Sequence, residues 1–208
     1  MKLMNLKLNE YLDILLSDAP APGGGSVSAL AGAQGAALVA MVADLTISKE
    51  RFAEYHDVCK DIHAKAEELY TKLAAAVDED TAAYNLIAAA FKMPKGTDEE
   101  KAARKKAIAD GTLEATKVPF GVLTMGAEGL KLAEQLIDNY NTNCASDLGV
   151  GVLNFMACIK GAWLNVKINL PGVKDDAAAA EFEAEGKRLF EESEKIADKL
   201  YKRIEESL

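Results

Sequence analysis

Between Glu50 and Phe91 the chain has neither proline nor glycine, and its apolar residues Ile62, Leu69, Leu73, Val77, Tyr84, Ile87 and Phe91 advance mostly by three or four. That period puts them on one side of an α-helix. One helix over this stretch would approach ~60 Å at 1.5 Å per residue, so the sequence predicts an extended bundle or a dimer rather than a round core. Met93-Pro94-Lys95-Gly96 ends the run, and Thr97 with Glu100 has the form of a capping box opening the next helix. That helix should kink or restart at Pro119 and run to about Ile137. A polar connection from Asn139 to Ser146 precedes a largely apolar helix, Asp147 to about Ile168, broken by Leu170-Pro171-Gly172. The last segment, Asp175 to Leu208, carries Phe182, Leu189, Ile196, Leu200 and Ile204 on one side and charges on the other. No region alternates with period two for long enough to make a sheet. The expectation is a single all-α domain over residues 1–208, an extended bundle of about six or seven helices.

Ala19 to Ala43 carries no charge, which makes it the one candidate membrane span. Gly, Pro, Ser and Gln occupy much of it and Ala contributes little transfer energy, so a loop followed by a buried helix is the better reading. Pro20, Pro22 and Gly23-Gly24-Gly25 make the loop and Ser26 the N-cap. Ala29, Gly32, Ala33, Ala36, Ala40 and Ala43 then form a narrow side that another helix can approach closely. The net charge of −9 excludes a global positive field for nucleic acid or an anionic membrane. Three Cys without a Cys-x-x-Cys pair, and no signal-peptide pattern, point to a reducing compartment and a cytoplasmic protein.

Chemistry is expected where polarity interrupts a packed face. At about 100° per residue, with Asp80 at 0°, Leu73, Val77, Tyr84 and Ile87 fall within roughly 60° of it. Asp80 therefore sits inside the apolar stripe, whereas Asp78 is on the opposite side. A carboxylate taken from water answers by pairing or by a raised pKa, and the second suits a general acid or base. A structural hydrogen bond to a neighbouring helix fits the same pattern. After Asp147, residues Gly151, Asn154, Cys158, Gly161, Asn165 and Asn169 stay within roughly 40° of it. This polar stripe suits either the wall of a pocket or an interhelical hydrogen-bond network. Gly23, Gly24, Gly25 and Ser26 offer amides at a helix start, suited to a carboxylate or an oxyanion, though neither a P-loop nor a dinucleotide fingerprint is present. His56, Cys59 and His63 share a helix side but lack a fourth ligand, so no metal site is assigned. Cys144 has no adjacent His to activate it.

Several blocks resemble the cyclodeaminase/cyclohydrolase family of tetrahydrofolate enzymes. They are Ala21-Pro22-Gly23-Gly24-Gly25-Ser26, Met41 to Lys49, Asp80-Thr81-Ala82-Ala83-Tyr84 with Met93-Pro94-Lys95, Asn143-Cys144-Ala145-Ser146-Asp147, and Gly161 to Asn169. They run in family order through nearly the whole chain. The resemblance implies an all-helical homodimer acting, without metal or redox cofactor, on a one-carbon unit carried by tetrahydrofolate. Members either open 5,10-methenyltetrahydrofolate with water to 10-formyltetrahydrofolate, or release ammonia from 5-formimidoyltetrahydrofolate while closing the methenyl bridge. The chain has no room for a transferase module, which tilts the expectation toward the cyclohydrolase. A noncatalytic folate-binding or helical assembly protein is the alternative of a different class.

On this resemblance, Asp80 transfers the proton, and Asp147, Asn143 and Asn165 orient water, substrate and charge. Gly23, Gly24, Gly25 and Ser26 hold an anionic or carbonyl part of folate, Tyr84 and Asn169 line the substrate, and Lys49 or Lys95 pairs with the glutamate tail. A polyglutamate tail would meet an acidic protein, so productive binding requires a local basic patch.

Overall fold

The computed structural model describes residues 2–208 and is all-helical. Its α-helices are α1 (Leu8–Leu16), α2 (Gly24–Ile47), α3 (His56–Phe91), α4 (Asp98–Leu136), α5 (Ala145–Asn169) and α6 (Asp176–Glu205), with short 3-10 turns between several of them. From α2 to α6 each helix runs antiparallel to the one before it. Ser26 meets Asp80 across α2 and α3, Ile87 meets Gly111 across α3 and α4, Phe155 meets Gly129 across α4 and α5, and Lys160 pairs with Glu194 across α5 and α6. α5 lies centrally and packs on α2, α4 and α6.

The helix predicted from Glu50 to Phe91 is divided. A 3-10 turn covers Glu50–Tyr55, with Phe52 outside helical geometry, and α3 begins at His56. Its 36 residues still span about 54 Å, which keeps the bundle elongated. The capping box is present: Glu100 N–H donates to Thr97 Oγ1 at 3.2 Å and Thr97 N–H to Glu100 Oε2 at 3.1 Å.

Of the expected kink or restart at Pro119 the restart does not occur, and α4 continues through it from Asp98 to Leu136. Proline cannot donate to the carbonyl four residues earlier, here that of Ala115. Asn169 Nδ2 donates to that oxygen instead, at 2.7 Å. An amide from α5 thus replaces the missing bond, which a reading confined to α4 could not anticipate.

Small residues set how closely the helices approach. A Cβ on Gly129 would lie 2.2 Å from the Phe155 ring, so the fully buried Phe155 occupies the space that a side chain there would need. α2 and the span Thr142–Gly172 are long and apolar enough to cross a membrane by length and composition, yet 56% and 50% of their windows are buried in the bundle. Val27, Met41 and Leu45 on α2 and Val150, Leu153, Leu164 and Ile168 on α5 remain exposed.

Candidate active site

The glycine run belongs to the helix rather than to a preceding loop. Gly23 is the N-cap and α2 starts at Gly24, so Ser26 is not the cap but lies in the first turn. The first amides of a helix lack internal partners. Asp80, arriving from α3, meets this need: Ser26 N–H donates to its Oδ2 at 2.8 Å, and Ser26 Oγ lies 3.0 Å from the same oxygen and 2.9 Å from Val77 O. A Cβ on Gly25 would sit 2.0 Å from Asp80 Oδ1 and 2.5 Å from its Cγ. Glycine is therefore needed there for close approach and not for an unusual φ.

Burial pushes the Asp80 carboxyl up from its usual range, and the hydroxyl and amide of Ser26 partly oppose that rise. The pairing is compatible with both protonation states. With Asp80 ionised, the Ser26 hydroxyl donates to it; with Asp80 protonated on Oδ2, the acid donates to Ser26 Oγ, whose proton turns to Val77 O. Oδ1 receives no hydrogen bond from the protein among the described residues and is left for a ligand.

Asp80 lines a cavity of about 320 Å³ together with Pro20, Ala21, Gly23, Gly24, Gly25, Tyr84, Ile87, Ala115, Asn165, Ile168 and Asn169. Asn165 Nδ2 is committed to Gly161 O at 2.8 Å, as Asn169 Nδ2 is to Ala115 O. Neither amide oxygen accepts a hydrogen bond among the described residues. Three acceptors between Tyr84, Ile87 and Ile168 suit a flat, nitrogen-rich, cationic or proton-donating ligand. Of the residues singled out in sequence, Gly23, Gly24, Gly25, Asp80, Tyr84, Asn165 and Asn169 meet here, with Ser26 directly behind.

Asn143, Asp147 and Lys49 are not brought to this cavity within one chain. Asp147 and Asn165 are eighteen residues apart on α5, about 27 Å at 1.5 Å per residue. Their shared helix side says nothing of this axial separation. Lys49 lies just beyond the C-terminal end of α2, and its carbonyl is 3.2 Å from His56 Nε2. That end is organised by Asn141, which sequence reading passed over: its N–H donates to the buried Thr46 Oγ1 at 2.9 Å and its Oδ1 accepts from Asn143 N–H at 3.2 Å. Lys95 stands in the turn before α4 and lines a different cavity.

Several other residues have structural partners. Asp78 is half-buried rather than turned to water, and its Oδ1 accepts from Leu3 N–H. Cys59 Sγ donates to Asn139 O at 3.2 Å. Burial, with the nearby Asp147 charge, raises the Cys144 thiol, and burial pushes Cys158 up to about 12, so neither forms a ready thiolate. Ile87, Ala115 and Ile168 were not foreseen as lining. The signal for Ala115 was its position four residues before Pro119, which marks an unpaired carbonyl.

The family model described as formiminotransferase-cyclodeaminase matches residues 7–188. A methenyltetrahydrofolate cyclohydrolase of Methylorubrum extorquens is 38% identical over 96% of both chains. A formimidoyltransferase-cyclodeaminase of Gallus gallus is 34% identical over 83% of this chain but only 32% of its own length. The solved formiminotetrahydrofolate cyclodeaminase of Thermotoga maritima superposes with a TM-score of 0.80 at 27% identity, covering 98% of this chain and 96% of that one. Because the matched segment carries the glycine turn, Asp80 and the α5 amides in one continuous run, the chain belongs to the formiminotransferase-cyclodeaminase family.

Proposed function

We propose that the chain is a methenyltetrahydrofolate cyclohydrolase, with Asp80 as the proton-transferring residue. The observation that carries the reading is the half-buried carboxyl with one free oxygen, lining with Asn165 and Asn169 a cavity of about 320 Å³. The methenyl bridge is a cation shared by N5 and N10, and the acceptors around it favour that charge. Water adds to the bridging carbon as Asp80 accepts its proton. The same proton then passes to N5, the C–N5 bond breaks as Asp80 takes the remaining hydroxyl proton and releases it to solvent, and the formyl group stays on N10. A carboxyl raised toward working pH is suited to both halves of this cycle. The full-length likeness to the Methylorubrum extorquens cyclohydrolase supports this reaction.

The full-length likeness to the Thermotoga maritima cyclodeaminase favours a second reading. There N10 attacks the formimidoyl carbon and Asp80 protonates the departing ammonia. Purified protein offered each folate separately separates the two. Loss of methenyl absorbance without ammonia release from the formimidoyl compound is the expected result; ammonia release at the higher kcat/KM reverses the assignment. Absence of both turnovers, with folate still bound, leaves a noncatalytic module.

The reading includes a homodimer. Val27, Met41 and Leu45 fall on one side of α2 and Val150, Leu153, Leu164 and Ile168 on one side of α5, and all are exposed. Each set is roughly symmetric about its helix midpoint, which suits a self-complementary two-fold contact with helices reversed. Reversal sets the far end of α5 of one subunit against the near end of the other. Asp147 of the partner subunit then approaches the Asp80 cavity, which gives the separated acids a common site. Mixed subunits test this: Asp80→Asn and Asp147→Asn homodimers, each inactive, should regain about a quarter of wild-type activity after subunit exchange, because half the dimers are mixed and each holds one intact site. No recovery on exchange rejects the shared site.

A further inference from the structure

Asn169 lines the Asp80 cavity from the last position of α5, and its side chain is held by a peculiarity of α4. In an uninterrupted helix the Ala115 carbonyl would accept from the N–H four residues on. Residue 119 is a proline buried within α4, so that donor does not exist. The ring also crowds the carbonyl four residues earlier, and a carbonyl relieved of its helical bond tilts outward from the axis. Asn169 Nδ2 meets the Ala115 oxygen at 2.7 Å, across fifty-four residues of chain. Ala115 lines the same cavity, whereas Pro119 stands one turn beyond it and does not.

An asparagine amide is ambiguous by itself, because its oxygen and nitrogen exchange places on a half-turn of the group. The Ala115 oxygen removes the ambiguity. A carbonyl can only accept, so the half-turn would set Asn169 Oδ1 against another oxygen and leave both without a donor in a half-buried site. Asn165, the other amide of the cavity, needs no help from α4, since its Nδ2 donates to Gly161 O on its own helix at 2.8 Å. Gly172, three residues past Asn169, gives this end of the chain a second hold on α4: a Cβ there would lie 2.9 Å from Thr112 Cγ2. The bond to Ala115 is therefore not the only contact that docks this segment, and what it adds is one fixed orientation of an amide in the cavity.

We propose that Pro119 is a positioning residue of the active site: by denying Ala115 its helical donor it draws an N–H of Asn169 onto that carbonyl and leaves the Asn169 oxygen as the end offered to a ligand. The inference rests on the folate reading for its substrate. An amide fixed in this way favours the cationic methenyl bridge, whereas one free to turn would present its N–H groups as readily and oppose that charge. Restoring an N–H at residue 119 should therefore cost activity while leaving the helix intact, although alanine is ordinarily the better helix residue.

The test sets Pro119→Ala beside its ester analogue, in which lactic acid takes the place of that alanine. Both lose the proline ring and carry the same methyl group, but only alanine regains the N–H, so a loss that comes from the ring's packing appears in both. Circular dichroism checks that each folds. Pro119→Ala should lower kcat/KM for 5,10-methenyltetrahydrofolate about tenfold, the worth of one hydrogen bond to a charged group, and the ester should recover most of the wild-type value. Asn169→Ala should lose at least as much alone, and adding Pro119→Ala to it should lose nothing further. Equal rates in wild type and Pro119→Ala, equal losses in the alanine and ester variants, or additive losses with Asn169→Ala overturn the proposal. Heteronuclear NMR of the asparagine side chains reads the same bond without turnover: the Asn169 amide protons should shift in Pro119→Ala and not in the ester, with Asn165 unmoved in both. If wild type turns over neither the methenyl nor the formimidoyl folate, the folate reading fails and this spectrum decides alone. A shift confined to Asn169 in the alanine variant then sustains the positioning role, and an unmoved Asn169 signal overturns it.

Discussion

Gly25→Ala tests the central contact with a single methyl group. The new Cβ would lie 2.0 Å from Asp80 Oδ1, where ordinary contact begins at 3.4 Å, so the carboxylate must retreat by about 1.4 Å. Asp80 has one short side chain, and Cγ itself would be only 2.5 Å away, so rotation of the carboxyl alone does not relieve the clash. Retreat lengthens the Ser26 bonds, now 2.8 and 3.0 Å, beyond useful range. Hydrogen bonds to a charged group are worth about 1.5–3 kcal/mol, while Ala gains up to about 1 kcal/mol over Gly in helix propensity. The expected net is a loss of about 1–2 kcal/mol in urea denaturation. A misplacement near 1 Å at a reacting group costs about 10²-fold in rate, so turnover of methenyltetrahydrofolate should fall by two orders of magnitude or more. Gly121→Ala is the control, because its Cβ meets nothing within 4 Å; it should gain about 0.5–1 kcal/mol from propensity and keep its rate. Wild-type turnover in Gly25→Ala would refute the argument that Asp80 must press against the first turn of α2.

Asp80→Asn removes the proton carrier and should lower kcat by about 10²–10⁴-fold. Its folded pKa is raised, so native Asp80 binds a proton that the unfolded chain has released, and wild-type stability falls as pH rises from the usual carboxylate range through the raised value; the thermal midpoint of the Asn variant should lack that decline, and parallel curves would exclude it. Ser26→Ala removes a group that lowers the Asp80 pKa, so the acid limb of the kcat/KM profile should move to higher pH, and an unmoved limb would place the titrating group elsewhere. Asn169→Ala should cost about 1–3 kcal/mol by orphaning the Ala115 carbonyl; Pro119→Ala restores a backbone donor, so the same change should cost less in that background, and an equal cost in both would show no coupling. Leu164→Glu, at a position 62% exposed, should yield monomers in sedimentation with activity lost, whereas an active dimer would move the interface to another face.

Much of the fold is legible locally because helices announce themselves through spacing and caps. Thr97 with Glu100 fixed one boundary, and the Phe182, Leu189, Leu200 and Ile204 series marked the buried side of α6. The errors arose where another helix supplies what the local sequence lacks. Pro119 reads as a break until Asn169 reaches the Ala115 carbonyl, and Ser26 reads as a cap until Asp80 caps the turn from outside. Asp80 itself was legible as polarity within an apolar stripe, because that observation depends only on α3. Its partner on α2, Ser26, fifty-four residues away, was not legible, because the sequence offers Ser26 only as a cap and a ligand contact.

The separation of Asp147 from Asp80 within one chain follows from the same geometry. A helical projection preserves angle and discards length, so Asp147 and Asn165 coincide on it while standing about 27 Å apart on α5. In a bundle of antiparallel helices, polar groups at opposite ends of one helix belong to opposite ends of the molecule, and α2 divides in the same way between Gly25 and Lys49. Within one chain no fold of α5 can reunite them. A reversed second copy can, since it lays the far end of one α5 beside the near end of the other, and the uncovered apolar face on α2 and α5 is the surface on which such a copy would sit. If subunit exchange fails to restore activity, the Asn143–Asp147 end instead serves to hold the close of α2 against the start of α5 through Asn141 and Thr46, and catalysis is left to Asp80 with the two α5 amides.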